Sequence, residues 1–255
     1  MRFLPGLNPL AKLAAPIPAM VALVFVRDVS TPLVFLALAY LVLLVGAPFG
    51  RRLAVTLFVA LPAVMILIAA GFALWADPAQ VADTPALARI GGWTLHAGAI
   101  GVGVATGLRL SAIFALALIA GAATTGADLA RSLVQQLRVP YRIGYTALAA
   151  LRFVPRLGTE LELIRQAHRV RAAHAGAGPF AAIARGAGYV VPLMAGSIRH
   201  AERVAWAMDV RAFGAYTTRT ERHVVPWRTR DAVFIAVMWV ATAAILLAGG
   251  LSLLG

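Results

Sequence analysis

Two arginines stand out for what their side chains could do. Val170-Arg171-Ala172 and Val210-Arg211-Ala212 repeat one tripeptide forty positions apart. Each copy falls near the end of a predicted helix and ahead of a stop signal, Gly176-Ala177-Gly178-Pro179 after the first and Gly214 after the second. A guanidinium at a helix tip can enter a groove and pair with a carboxylate through two parallel hydrogen bonds. Truncating one member of such a buried interfacial pair costs about 2–5 kcal/mol. The plainer alternative is that a basic residue in a last turn complements the helix dipole, worth about 0.3–1 kcal/mol. That covers either arginine alone, but not the repetition at matching positions.

Other chemistries find less support in the residues. A phosphate-binding loop needs Gly-x-x-x-x-Gly-Lys-Ser/Thr, and the single lysine, Lys12, lies in Leu10-Ala11-Lys12-Leu13. ATP hydrolysis by that route is excluded. The run Gly101-Val-Gly103-Val-Ala-Thr-Gly107 lies inside an apolar segment with no preceding strand, so close helix packing is its expected role. The five histidines show no His-Glu-x-x-His spacing, and no metal site or cofactor is expected. With no cysteine, disulfides and thiol chemistry are excluded. Arg109, halfway along an apolar segment, is read as a structural group of a helix bundle.

The elements that must position the two arginines follow from composition. The chain is 61% hydrophobic and 13% charged, with a mean hydropathy of +0.85, against about 25% charged residues in soluble domains. Runs 31–47, 53–76 and 232–255 carry no charge, and each approaches the ~20 residues that cross a hydrocarbon core. Segments 13–26 and 93–125 complete a prediction of about five transmembrane helices in an all-α polytopic membrane protein. The first of these is short, and would need Lys12 to snorkel. Arg27-Asp28-Val29-Ser30 reads as a tight turn and Gly50-Arg51-Arg52 as a basic loop. Trp75 and Trp93 flank a polar loop, as at a membrane interface. No removable signal peptide is expected at the N-terminus.

Charge divides the chain. Of its 23 Lys and Arg, sixteen lie in 126–230 against six acids, leaving that block at +10. A single loaded loop is first a signal of orientation, and no nucleic-acid partner is expected. Arg2, Lys12, Arg51, Arg52 and the block fall on one side of the predicted spans, which makes that side and the N-terminus cytoplasmic. The expected domains are a transmembrane region of four helices over 1–125, a cytoplasmic coupling-helix domain over 126–230, and a last transmembrane helix over 231–255. Within the block, helices are predicted over 128–137, 141–154 stopped by Pro155, 156–174, 180–191 and 194–213. Leu157, Leu161, Ile164 and His168 form one stripe. Met194, Ile198, Ala201, Ala205, Met208 and Ala212 form another. Faces of this kind suit membrane lipids or a partner's groove.

These residues carry a resemblance to a known family. Leu7-Asn8-Pro9-Leu10-Ala11-Lys12-Leu13 resembles the Leu-Asp-Pro-Arg-x-Lys-Leu opening of the transmembrane T components of energy-coupling factor (ECF) transporters, the CbiQ- and BioN-type proteins, with Asn8 in place of Asp. Leu108-Arg109-Leu110, Thr124-Thr125-Gly126-Ala127-Asp128-Leu129 and Leu151-Arg152-Phe153-Val154-Pro155 follow in the family's order. Ala167-His168-Arg169-Val170-Arg171-Ala172 resembles its first Ala-Arg-Gly coupling motif. Ala207-Met208-Asp209-Val210-Arg211-Ala212-Phe213 resembles the second, usually Ala-Met-Glu-x-Arg-Gly-Phe. Both copies carry Ala where Gly is common.

The resemblance implies a non-catalytic subunit of an ABC importer in a bacterial inner membrane, taking up a vitamin or a cobalt or nickel ion. Two ABC-type ATPases would dock on Arg171 and Arg211, with Val170, Ala172, Val210 and Ala212 beside them. A substrate-binding S component would meet the apolar faces, for which Arg109, Arg152, Pro155, Met194, Ile198 and Met208 are contact or structural candidates. The rival reading from the residues is a membrane enzyme acting on lipid head groups, but Asp128, Glu160, Glu162, Glu202 and Asp209 give it no metal-binding spacing. A self-contained channel or carrier lacks polar groups in the spans.

Overall fold

The computed structural model describes residues 3–26, 28–75, 84–90, 93–171, 179–216 and 220–252. Arg27, Ala172 and the stop signal 176–178 lie outside them, as does most of the polar loop between Trp75 and Trp93. The chain divides into two compact units, one of residues 1–125 with 225–255 and one of residues 126–224.

The first unit is mostly helical. A single turn at Leu4–Gly6 leads into α1 (Pro9–Ala14), α2 (Ile17–Phe25) and α3 (Ser30–Gly46). The predicted first span is thus two short helices, because Pro16 and Pro18 lack the N–H groups that would continue α1. The basic pair Arg51-Arg52 is not a loop but opens α4 (Arg51–Val55), which runs through a widened turn at Thr56–Ala60 into α5 (Leu61–Trp75). In the widened turn Leu61 N–H bonds back five residues to Thr56, and the Leu57 carbonyl accepts from Tyr40 Oη at 2.5 Å. Ala86–Ile90 and Trp93–His96 form an antiparallel hairpin of two strands, β1 and β2. The segment expected to be helical from Trp93 therefore starts as strand, and α6 occupies Ala97–Gly121. The last helix of the chain, α10, covers Thr229–Ser252.

By length and composition, helices Arg51–Trp75, Ala97–Gly121 and Thr229–Gly249 can cross a membrane, and Pro9–Phe25 and Ser30–Gly46 are shorter apolar helices. The core joins Leu23, Phe35, Leu43, Leu57, Leu116 and Met238. The glycine run of α6 acts by close approach. A Cβ added at Gly103 would lie 2.2 Å from the Ala69 carbonyl oxygen, and one at Gly107 would lie 2.8 Å from that of Met65, whereas Gly101 faces open space. Small residues let two backbones meet in this way.

The second unit holds α7 (Gly126–Gln136), α8 (Tyr141–Arg171) and α9 (Pro179–Val210). Two predicted breaks are absent, since α8 continues through Pro155 and α9 through Pro192. A proline forfeits one helical bond and strains one turn. Contacts on both sides of each proline offset that cost. Phe153 stacks on His200 at 4.6 Å, and His168 meets Tyr189 edge-on at 5.1 Å. Between them Gly196 lies against Glu160. The pairings run in opposite directions along the two helices, so α8 and α9 are antiparallel. The stripe Leu157, Leu161, Ile164 and His168 is half-buried as expected. On α9 the half-buried positions include Tyr189, Leu193, Ala195, Gly196, Ser197, His200, Val204 and Met208, while Met194, Ile198, Ala201 and Ala205 stay exposed. The stripe grouped by its apolar character is thus mostly the open face of α9, and only Met208 of it turns inward.

Candidate functional site

The site at the end of α9 is built by a helix stop. Phe213 N–H bonds to the Met208 carbonyl at 3.0 Å and Ala212 N–H to that of Asp209 at 2.9 Å. These two bonds make a Schellman motif, in which the residue after the C-cap takes a left-handed conformation. Ala212 does so at φ +53° and Gly214 at +90°. Arg211 is therefore the C-cap, one residue beyond the helix that ends at Val210. The usual Gly after this arginine has a physical reason here, because an L side chain at left-handed φ costs roughly 1–2 kcal/mol. Ala212 carries that cost.

Residues about seventy positions away hold the turn. The Phe213 ring meets Tyr141 at 5.7 Å and 80°, and Tyr141 Oη donates to the Tyr216 carbonyl at 2.5 Å. The Arg142 guanidinium donates to the Gly214 carbonyl. Below the turn, Tyr145 Oη donates to the Glu221 carboxylate, and Gln135 Nε2 donates to the His223 carbonyl at 2.9 Å. Gly144 lets α7 and α8 meet, since a Cβ there would fall 2.0 Å from Val134 Cγ2. The result is an open cleft of about 630 Å³, lined by Tyr145, Arg152, Met208, Arg211, Phe213 and Tyr216 among others. Four candidate residues, Arg152, Met208, Arg211 and Ala212, thus converge on one cleft. Tyr141, Arg142 and Tyr145 carried no sequence signal, because their partners are separated by 72 to 76 positions. Arg211 is exposed and makes no ion pair among the described residues.

The other tip stands apart. Arg171 is the last residue of α8. Between two and three turns earlier, Glu162 accepts from Arg169 at 2.9 Å and lies 3.9 Å from Arg165. Because α8 and α9 are antiparallel and Arg211 lies beside the start of α8, the two tips mark opposite ends of the pair. At 1.5 Å per residue the 31 residues of α8 span about 45 Å. Each tip also bares the valine that precedes its arginine: Val170 is 83% and Val210 89% exposed. An isolated exposed valine needs no explanation, but a bared valine immediately before the motif arginine recurs at both tips.

Of the remaining candidates, Met194 and Ile198 are each 56% exposed on α9, and Pro155 is exposed on α8. Arg109 lies in the first unit, half-buried in α6, and its Nε has no hydrogen-bond partner among the described residues. No group of three or more His, Asp or Glu side chains able to hold a metal ion occurs among the described residues.

The family model of the cobalt transport protein CbiQ matches residues 1–223. The chain belongs to the CbiQ family. It is 28% identical over 155 residues to the energy-coupling factor transporter transmembrane protein EcfT of Staphylococcus aureus, over 58% of each chain. It is 30% identical over 148 residues to EcfT of Limosilactobacillus fermentum, over 53% of this chain and 55% of that one. It is also 33% identical over 98 residues to a putative ABC transporter ATP-binding protein of Bifidobacterium longum, over 38% of this chain and 13% of that one. The chain thus spans little more than half the length of the two EcfT relatives. Membership agrees with the resemblance read from the motifs, and with its apolar helices the chain is a membrane protein of a transporter family.

Proposed function

We propose that the chain is the energy-coupling transmembrane subunit of an ECF-type ABC importer. It links two cytoplasmic ATPases to a substrate-binding S component and itself catalyses nothing. The observation that carries this reading is the pair of Val-Arg steps, each with its valine bared, at opposite ends of the α8–α9 pair. Each tip bares a valine next in sequence to an arginine, and arginine is enriched among the residues that anchor interfaces. A separation of about 45 Å along one helix suits two partner subunits better than one. The names of the EcfT and ATP-binding relatives give the same direction.

In this reading, Arg171 and Arg211 each enter a groove on one ATPase. Val170 and Ala172 pack beside the first, and Val210 and Ala212 beside the second. Closure of the ATPase pair on ATP draws the tips together or apart, and α8 and α9 act as levers because contacts carry them rigidly through Pro155 and Pro192. The open face with Met194 and Ile198 meets the S component. Five spans, an N-terminus in the cytoplasm and a bacterial inner membrane complete the arrangement, with residues 126–230 as the cytoplasmic domain. The cargo is a vitamin or a transition-metal ion, and its identity is set by the S component.

The test is affinity purification of the full chain from membranes of its native host. Two ATP-binding subunits and a small membrane protein are expected to copurify, and Arg171→Ala with Arg211→Ala is expected to release the ATP-binding subunits. Retention of both subunits by the double variant, or lipid turnover by the chain without ATP-binding partners, would overturn the reading.

A further inference from the structure

The N-terminal segment is bonded to both places where the chain passes between the two units. Lys12, the single lysine, is 2% exposed, and its Nζ donates to the Ala123 carbonyl at 2.6 Å. It does not snorkel as the sequence implied, because a closer acceptor is at hand. Ala123 lies two residues past the end of α6 at Gly121, beyond the C-cap Ala122, where a backbone carbonyl has no helical N–H to accept from. Ala123 lies three residues before the second unit opens at Gly126. Asn8 makes the matching contact on the return. Its Nδ2 donates to the Pro226 carbonyl at 3.3 Å, two residues after that unit closes at Val224.

Asp231 completes the set at the start of α10. Its buried carboxylate accepts from Asn8 N–H at 2.8 Å and from Arg228 N–H at 2.7 Å. Arg230 donates to the Gly6 carbonyl. All of these residues belong to the first unit. The amide at position 8 has a specific use. Asn8 Oδ1 accepts from Leu10 N–H at 3.0 Å while Nδ2 donates to Pro226. An aspartate could accept but not donate, and its carboxylate would stand near that of Asp231. The departure of Asn8 from the family's usual Asp is thus matched by what surrounds it.

We propose that Asn8, Lys12 and Asp231 are positioning residues: a clasp that ties the outgoing and the returning chain to one N-terminal segment. Movement of the second unit then reaches the helices of the first without slack in the two connections. The proposal rests on the coupling role proposed above, and its structural half can be tested without any partner.

The chain has no cysteine, so cysteines placed at exposed Leu74 and Trp206 can carry spin labels, one in each unit. Distance distributions are then measured by pulsed EPR on the full chain in lipid nanodiscs, alone and with its copurified ATP-binding subunits. Lys12→Met removes the donor while keeping the apolar stem. It is expected to raise the population of released conformations roughly tenfold, the factor for losing one hydrogen bond to a charged buried group, seen as a broader distribution. Lys12→Arg is expected to keep the original distribution. Asn8→Asp is expected to broaden it, and addition of Asp231→Asn to narrow it again. In the complex, Lys12→Met is expected to retain ATP hydrolysis but lose the nucleotide-dependent change in distance. Unchanged distributions in both Lys12→Met and Asn8→Asp, with only a lower melting temperature, would overturn the clasp. Failure of ATP-binding subunits to copurify with the unaltered chain would overturn the coupling reading instead, and the distributions of the chain alone would still decide for or against the clasp.

Discussion

The two units solve opposite problems with similar helices. In residues 1–125 and 225–255, small residues bring backbones into contact, aliphatic side chains close a core, and Lys12 and Asp231 are buried with their hydrogen bonds made. In residues 126–224 the long helices touch along a narrow stripe, and Met194, Ile198, Trp206 and both tip valines stay open. A helix pair of that kind has buried little on its own account, so its remaining apolar surface is available to other molecules. The first unit closes a buried core, whereas the second leaves the open sides of its long helices to be completed.

The largest expected effect tests the open unit. Arg171→Ala and Arg211→Ala should each weaken association with an ATP-binding subunit by about 2–5 kcal/mol, read as subunits retained on copurification, while the thermal transition of the chain alone stays in place. A fall in that transition equal to the loss of binding would assign the arginines to folding. The next effect tests the closed unit. Gly103→Val forces a side chain against the Ala69 carbonyl and should destabilise by about 1–3 kcal/mol, whereas Gly101→Val, facing open space, should leave the melting temperature unchanged. Equal effects at the two positions would contradict the packing of α6 on α5.

A smaller change, of opposite sign, concerns the turn that presents Arg211. Ala212→Gly relieves the left-handed alanine and should stabilise the second unit by about 1 kcal/mol, measured as slower hydrogen exchange of the Phe213 amide. Faster exchange would show that the methyl group contributes a contact that outweighs its strain.

The smallest effect is acid sensitivity at the start of α3. Burial pushes the Asp28 carboxyl up, but hydrogen bonds from Ser30 and Thr31 outweigh it and hold the group below its ordinary value. A depressed carboxyl contributes stability that is complete above the unfolded value near ~3.9 and is lost as pH falls through the folded value. Asp28→Asn should therefore flatten the decline in melting temperature between about pH 5 and about pH 3, the range that brackets the ordinary carboxyl value. An unaltered decline would place the acid sensitivity elsewhere.

Periodicity and charge made much of the fold legible. The apolar runs gave the long helices Arg51–Trp75, Ala97–Gly121 and Thr229–Ser252 because a span needs only length and hydrophobicity. Prolines misled in both directions. Pro16 divides a segment read as one helix, while Pro155 and Pro192 sit inside helices read as ending there. The difference lies in tertiary support, which local sequence does not contain. At the tips, the Arg211 motif was legible as an arginine before a stop. The cleft beside it was not, since Tyr141, Arg142 and Tyr145 reach it across more than seventy positions. Lys12 was misjudged because snorkelling is argued from one helix, while its acceptor, Ala123, lies 111 positions on.

The central claim is that the two Val-Arg tips address two ATPases. Because the chain has no cysteine, a photo-crosslinker attached to single cysteines at 170 and at 210 can report each tip's neighbour separately in the assembled complex. Both positions are expected to crosslink to ATP-binding subunits, with two such subunits joined to one chain when both cysteines are present. An intact complex in which one ATP-binding subunit reacts with both positions, or in which neither position reaches one, would contradict it.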